Sequence, residues 1–401
     1  MALAVNAPQS PAPRREGSAI HPDVVRLGVV SLLTDVSSEM IFSVFAVFFT
    51  TVAGASAALL GVIEGLADLS SCSLDFLAGW LADRTGRRKP LAMIGYGFST
   101  LAKAVLLIAV SVPMLAAFRV IERLGKSFRG PPRDAWISAV AQQSVRGYSF
   151  GIHKALDKSG AVLGPLVAYG LLSWLGERLP TYRTLFRLAV IPAVLAVALL
   201  AFMPERPGSH HERERFLESW RTLSAGFKRY LVAAGVFSLG YFSFGFLLLR
   251  AYDVGFSARD TVLLYAMFNA VFVIAAPIAG KLGDALGRAR LVTASYLIYL
   301  LMSLGFAAAR SKWHIAALIV AYGIFFSIDE AQSKAFIADV QPQRRATAIG
   351  AYNFVTGGLY LLASVIAGAL WTLGSWLTFA FAAATSAAAV LALLSLRPAE
   401  H

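Results

Sequence analysis

Apolar stretches long enough to cross a bilayer recur along almost the whole of this 401-residue chain. A segment of about 20 apolar residues spans the hydrocarbon as a helix, and lipid offers no partner to backbone amides, so such spans must be helical. Twelve are expected, at approximately 24–52, 57–81, 90–110, 113–140, 147–175, 184–203, 228–252, 259–282, 290–309, 313–338, 346–370 and 372–396. The fold class is therefore an all-α membrane protein. Composition agrees. Hydrophobic residues make up 57% and charged residues only 15% of the chain, against about 25% charged in soluble proteins.

The polar remainder divides the chain. Residues 1–22 are Pro/Ala-rich and read as a disordered cytoplasmic tail. A six-span bundle at 23–203 is followed by a polar linker at 204–227 and a second six-span bundle at 228–397. The net charge of +13 lies largely in short loops, among them RTGRRK at 84–89, GRAR at 287–290 and QRR at 343–345. The loops at 52–57, 111–112 and 371 carry no basic residue. Basic loops stay on the cytoplasmic side, so both termini are expected there, in a bacterial inner membrane. Nucleic acid is not the partner that this charge implies. A single cysteine, Cys72, permits no internal disulfide and no cysteine metal site.

The halves repeat each other. GWLADRTGRRK (79–89) returns as GKLGDALGRAR (280–290) after the second span of each half, and VRGYSFG (145–151) as RRATAIG (344–350) after the fourth. Such a repeat points to a transporter with its site between the halves near the midplane. GWLADRTGRRK resembles the loop signature of the major facilitator superfamily, and the resemblance extends over about 24–397. It implies a twelve-helix, alternating-access transporter. It further implies that Asp83 with Arg84, Arg87 and Arg88 latches the cytoplasmic side, that Gly79 and Gly86 permit the tight turn, and that Asp284 and Arg288 stand in the second copy. SGAVLGPLVAYG (159–170) partly resembles the fifth-helix antiporter signature through Gly160, Gly164 and Pro165, with Ala168 and Tyr169 in place of its final glycines. That favours export, although small residues with a proline bend also serve helix packing.

Buried charge is concentrated in the first half. Asp35 and Glu39 lie one turn apart on span one, while Glu64, Asp68 and Asp75 share a face of span two. Arg119, Arg123, Lys126, Arg129 and Arg133 follow at steps of three or four on span four, with Glu122 three residues after Arg119. Span five carries His153, Lys154, Asp157 and Lys158, and span three Lys103. With Asp134, eight acids face eight Lys or Arg. Each charge at a helix centre costs about 2.5–3.5 kcal/mol on insertion scales, so the set is either a satisfied structural network or a working site. Pro131 and Pro132 are expected to bend or break span four.

On the functional reading, Asp35, Glu39, Glu64 and Asp68 exchange protons as nearby cations approach or withdraw. Arg119, Arg123, Lys126, His153, Lys154 and Asp157 meet the charged group of a substrate. The second half supplies Tyr241, Asn269, Phe326 and Asn353 for its apolar part. The expected substrate is thus an amphipathic or anionic small molecule, exported against protons. An importer of an anionic nutrient or metal chelate, a sodium-coupled carrier and a lipid flippase are the alternatives. No nucleophile constellation, metal-ligand spacing or P-loop is present, so neither an enzyme, a cofactor nor direct ATP drive is expected. Membrane lipids are the other partners, and the protein is expected to be a monomer.

Overall fold

The computed structural model describes residues 20–108, 111–142, 146–205, 223–341 and 345–395. Thirteen α-helices account for most of them. They are α1 Pro22–Val47, α2 Ala57–Thr85, α3 Arg88–Ile108, α4 Val112–Val140, α5 Arg146–Leu175, α6 Leu179–Ala201, α7 Ala225–Ser238, α8 Gly245–Asp253, α9 Ala258–Leu286, α10 Arg288–Ala308, α11 Lys312–Val340, α12 Arg345–Leu373 and α13 Ser375–Ser395. A π-helical turn, Phe48–Val52, prolongs α1. Among the described residues, eight helical stretches are, by length and composition alone, long and apolar enough to cross a membrane. Most of the proposed tail (residues 1–19) and linker (206–222) lies outside the described residues.

Local chemistry explains the helix ends. Pro22, Pro113 and Pro180 occupy first-turn positions, where a missing amide costs nothing. Ser224, Ser257 and Ser311 cap α7, α9 and α11 by accepting from Phe227 N, Asp260 N and His314 N at 3.2, 3.1 and 3.3 Å. The turns α2–α3 and α9–α10 pass through Gly86 (φ 63°) and Gly287 (φ 91°), a region that side chains disfavour, so the repeat extends to the backbone. Gly79, by contrast, lies inside α2.

Two departures from the sequence expectation concern span continuity. Span seven is broken: α7 ends at Ser238 and α8 begins at Gly245. A Cβ on Gly240 would lie 2.9 Å from Ala382 Cα, so only glycine lets the chain run this close to α13. Tyr299 Oη donates to the freed Gly240 carbonyl at 2.9 Å. Conversely, α4 runs through Pro131 and Pro132 without ending. Arginines on both sides are anchored to other helices: Arg129 donates to Ser99 Oγ at 2.6 Å, and Arg133 to Ser31 Oγ at 3.2 Å.

Helices α1 to α6 pack among themselves, as do α7 to α13. In the first group α5 lies against α1 through Gly160 and Gly164, where a Cβ would come within 2.5 Å of Leu32 O and 2.6 Å of Val36 O. The antiporter-like glycines thus serve close helix contact. Between the groups, α2 meets α12 and α5 meets α9. Gly61, Gly65 and Gly368 give the first crossing its closeness, against Ser364 O, Leu361 O and Ala57 O.

These two glycine contacts differ in what they hold. Gly164→Leu overpacks a contact inside one half and should cost about 1–3 kcal/mol, read as a lower melting temperature. Gly61→Leu wedges a contact between halves. It should leave the melting temperature nearly unchanged and lengthen spin-label distances between the adjacent ends of α2 and α12.

Candidate functional site

A cavity of about 230 Å³ lies between the two helix groups. Its first-half wall is formed by Ser38, Glu39 and Phe42 of α1, Asp68 of α2, Phe118, Arg119, Glu122, Arg123 and Lys126 of α4, and Lys158 of α5. The opposite wall is Tyr241–Phe244 from the break in span seven, Tyr265, Phe268, Asn269 and Phe272 of α9, and Tyr322 and Phe326 of α11. Every charged lining residue belongs to the first half. The second half presents mainly aromatic rings, packed edge to face and tilted: Phe244 lies 4.7 Å from Phe268 and 5.2 Å from Tyr322.

Helical spacing on α4 sets the electrostatics. Arg119 holds Glu64 through two parallel bonds, Nε to Oε1 at 2.6 Å and Nη2 to Oε2 at 2.8 Å, and both residues are buried. Ser243, from the break in span seven, donates to the same carboxylate at 2.8 Å. The Arg119 guanidinium also lies 4.4 Å from the Phe42 ring. One turn on, Arg123 approaches Asp68 at 3.8 Å with both side chains partly exposed. Arg129 reaches Asp35 at 3.5 Å and Arg133 reaches Asp157 at 3.7 Å, deeper in the first half. Glu39 accepts a 2.7 Å hydrogen bond from Tyr265 of the other half. Lys126 is exposed to the cavity and makes no hydrogen bond or ion pair within 4 Å among the described residues. Lys158 lies 4.9 Å from the Phe272 ring across the gap.

Of the residues singled out in the sequence, Glu39, Asp68, Arg119, Arg123, Lys126, Tyr241, Asn269 and Phe326 line the cavity. Glu64 stands just behind it, in the bidentate pair. Asp35 and Asp157 sit in the interior of the first half. His153 Nε2 contacts Ser31 Oγ at 3.0 Å, and Lys154 approaches Asp157 at 3.8 Å; neither residue lines the cavity, nor does Asn353. Phe42, Ser38 and Ser243 were not selected from sequence, and Lys158 was named there as a buried charge without a site role. The spacing from Glu39 to Phe42 carried a signal; two serines in apolar helices carried none.

The loop residues behave differently. The side chains of Asp75, Asp83, Arg84 and Asp284 lie outside the described residues. Arg87 is exposed. Lys89, beside Arg88, donates to Ala201 O at 2.8 Å and Met203 O at 2.6 Å and so caps α6. Arg288 bonds Asp339 at 2.8 Å and Ala335 O at 3.2 Å, within its own half.

The end away from these basic loops is closed. There α2 and α12 cross at the glycines, and Glu177 accepts from Ala258 N and Arg259 N at 3.2 and 3.1 Å, capping α9 from the other half. A cavity between two helix groups, closed on one side and lined by a broken helix, is transporter architecture. The family model of the Major Facilitator Superfamily matches residues 27–250 and 230–401. The chain belongs to the major facilitator superfamily. Among its relatives, an uncharacterized MFS-type transporter of Methanocaldococcus jannaschii is 31% identical over 383 residues, 94% of each chain. The multidrug resistance protein MdtH of Edwardsiella ictaluri is 27% identical over 144 residues, 36% of each chain. A point mutant of the nucleoside transporter NupG shares the fold with a TM-score of 0.79 at 12% identity, covering 93% of this chain and 99% of that one. A bacterial homolog of the lysosomal transporter Spinster, inward-facing and unoccupied, gives 0.71 at 18% identity over 94% and 98%. As a superfamily member the protein is an integral membrane transporter.

The Glu64–Arg119 pair allows a test of how tightly the site is built. Removing one partner strands a buried charge and should destabilise by about 3–5 kcal/mol. Glu64→Ala and Arg119→Ala should each lower the melting temperature sharply. The double variant should lose much less than their sum.

Proposed function

We propose that this transporter exports an amphipathic organic anion in exchange for protons, by alternating access. The observation that carries the reading is Lys126, an unpaired cation on a wall of ion pairs, facing an aromatic wall without charge. An anionic head would complete the pairing of Lys126, with Arg123 beside it, while a flat apolar body stacks on Phe268, Phe326 and their neighbours. Relatives named multidrug resistance protein MdtH favour export.

On this reading residues 23–203 and 228–397 are two rocking bundles, tethered by the linker 204–227. Both termini, including the tail 1–22, lie in the cytoplasm of a bacterial cell, and the monomer is the working unit in its inner membrane. The cavity opens toward the cytoplasm in this state. The latch around Asp83, Arg84, Arg87 and Arg88 closes that side in the other.

Coupling falls to the acids near the cavity. Glu39 is hydrogen-bonded across the two halves, by Tyr265, so its surroundings change when the halves separate. Asp68, held at 3.8 Å by Arg123, is freed when a substrate anion competes for that guanidinium. Glu64 and Asp35 keep their arginines within one half and assist by holding the wall in register.

Naphthalene-1-sulfonate, permanently anionic and aromatic, is a suitable probe. It should raise the melting temperature of the purified protein where naphthalene and 1-naphthylammonium do not. Neutralising Lys126 or Arg123 should weaken its binding tenfold or more, given about 1.5–3 kcal/mol for a charged hydrogen bond. In proteoliposomes, an imposed pH gradient should drive the probe against proton flow. Glu39→Gln or Asp68→Asn should abolish that drive and spare counterflow at equal pH. Unchanged binding in both cation variants sinks the anion reading. A gradient response like wild type in both acid variants removes these acids from coupling, and accumulation along proton flow would make the protein an importer.

A further inference from the structure

Lys103 is wholly buried in α3, and neither the cavity wall nor the gates use it. Its ammonium donates to Ser38 Oγ at 3.1 Å and to the Ser99 carbonyl at 3.2 Å, both neutral. No carboxylate comes within ion-pair distance of it among the described residues. Ser38 in turn donates to Glu122 Oε1 at 3.1 Å, and Glu122 opens on the cavity. The serine hydroxyl therefore accepts from the lysine and donates to the glutamate, an unbroken N–H···O–H···O path from the protein interior to the cavity. The charges around Lys103 are Glu122 and Arg129 of α4 and Asp35 and Glu39 of α1. Helix α6, also packed on α3, carries only Arg183 and Arg187 nearby in sequence register, both exposed. A fixed structural cation here would be better served by arginine, which never releases its proton and matches a carboxylate with two bonds. A lysine among neutral partners is a group that can let its proton go.

We propose that Lys103, Ser38 and Glu122 form a proton relay that loads and unloads the transport cavity. An N–H bond of the ammonium breaks as the Ser38 oxygen takes the proton. The O–H bond of Ser38 breaks in concert, and that proton bonds to the Glu122 carboxylate. The pair passes from ammonium and carboxylate to amine and carboxylic acid with no net charge change, which suits a site without water. Glu122 then yields its proton to cavity water, and the reverse sequence recharges Lys103. The relay rests on the proton-coupled reading and gives it a proton store in the wall, separate from the acids that meet substrate.

Infrared difference spectra of the purified protein in proteoliposomes, recorded between acid and alkaline buffer without any substrate, test it. The relay predicts a carboxylic-acid C=O band that Glu122→Gln removes. Lys103→Arg keeps a cation but cannot give up its proton, so it should also abolish the band. Ser38→Ala, a loss of one oxygen, should shrink the band several-fold, and Ser38→Thr should restore it. A Glu122 band that persists in Lys103→Arg, or is unchanged in Ser38→Ala, overturns the relay, as does the absence of any band lost in Glu122→Gln. Should Lys103→Arg not fold, as judged by thermal melting, the Ser38 pair decides alone. A wild-type protein that shows the relay band but does not move naphthalene-1-sulfonate against a pH gradient overturns the functional reading and not the relay.

Discussion

A charged side chain taken into the helix bundle loses its water, and the effective penalty is several kcal/mol per ion unless a partner arrives with it. Arg119 and Glu64 meet this condition through two parallel bonds of 2.6 and 2.8 Å, and much of the first half is arranged around such pairs. Because α4 places a cation at nearly every turn, α2 and α1 must present carboxylates at matching heights. Asp68 answers Arg123, Asp35 answers Arg129, and Asp157 on α5 answers Arg133. The register of four helices is therefore set by ion pairs rather than by apolar shape, which in lipid discriminates poorly between one sliding position and another. It also explains why α4 survives two consecutive prolines: each flank is pinned by an arginine.

Among the described residues, the second half meets the same solvent problem chiefly with aromatic rings. Tyrosines and phenylalanines fill its interior, with Phe237 stacked 3.8 Å from Tyr296 and joined to Tyr299 and Phe325. Its most constrained charge, Arg250, directs its donors to Phe306 O, Ala307 O, Ala309 O and Ser375 Oγ, closing the end of α10. The break between α7 and α8 exposes backbone only where Tyr299, Ser243 and the cavity can satisfy it. An ionic half and an aromatic half then meet at one surface, so the cavity inherits its two-faced character from the way each half manages burial.

Much of this was legible in the sequence, for reasons that differ by residue. The all-helical membrane fold follows from apolar length, and the repeat from Gly86 and Gly287, whose positive φ leaves no other residue comfortable. The matching of acids to a basic stripe on span four follows from helical periodicity, which is local. What periodicity does not carry is the pairing across distant segments. Glu39 and Tyr265 are 226 positions apart, Glu64 and Ser243 are 179 apart, and nothing near either acid announces its partner. Nor does one turn of spacing say which acid faces the cavity: Glu39 does, meeting Tyr265 of the other half, while Asp35 turns to Arg129 of α4 inside the first half. The break in span seven was hidden because Gly240 looks like any helix glycine until α13 is in place beside it.

The contacts between the halves, which the proposed alternating access would break, are of a different kind from those that hold each half. At the closed end, α2 and α12 touch through glycines and backbone, and Glu177 caps α9 from solvent-exposed ground. Neither contact buries a charge whose release would be costly, so separation exchanges packing for lipid or water with little net change. In the middle, each bond between halves runs from a first-half carboxylate to a neutral hydroxyl, Glu39 to Tyr265 and Glu64 to Ser243. Opening there leaves no cation stranded, since Arg119 keeps its hold on Glu64. The ion pairs lie inside the first half, while the contacts between halves are neutral or backbone, as the proposed alternating-access motion requires. That division allows a structure this rich in buried charge to move.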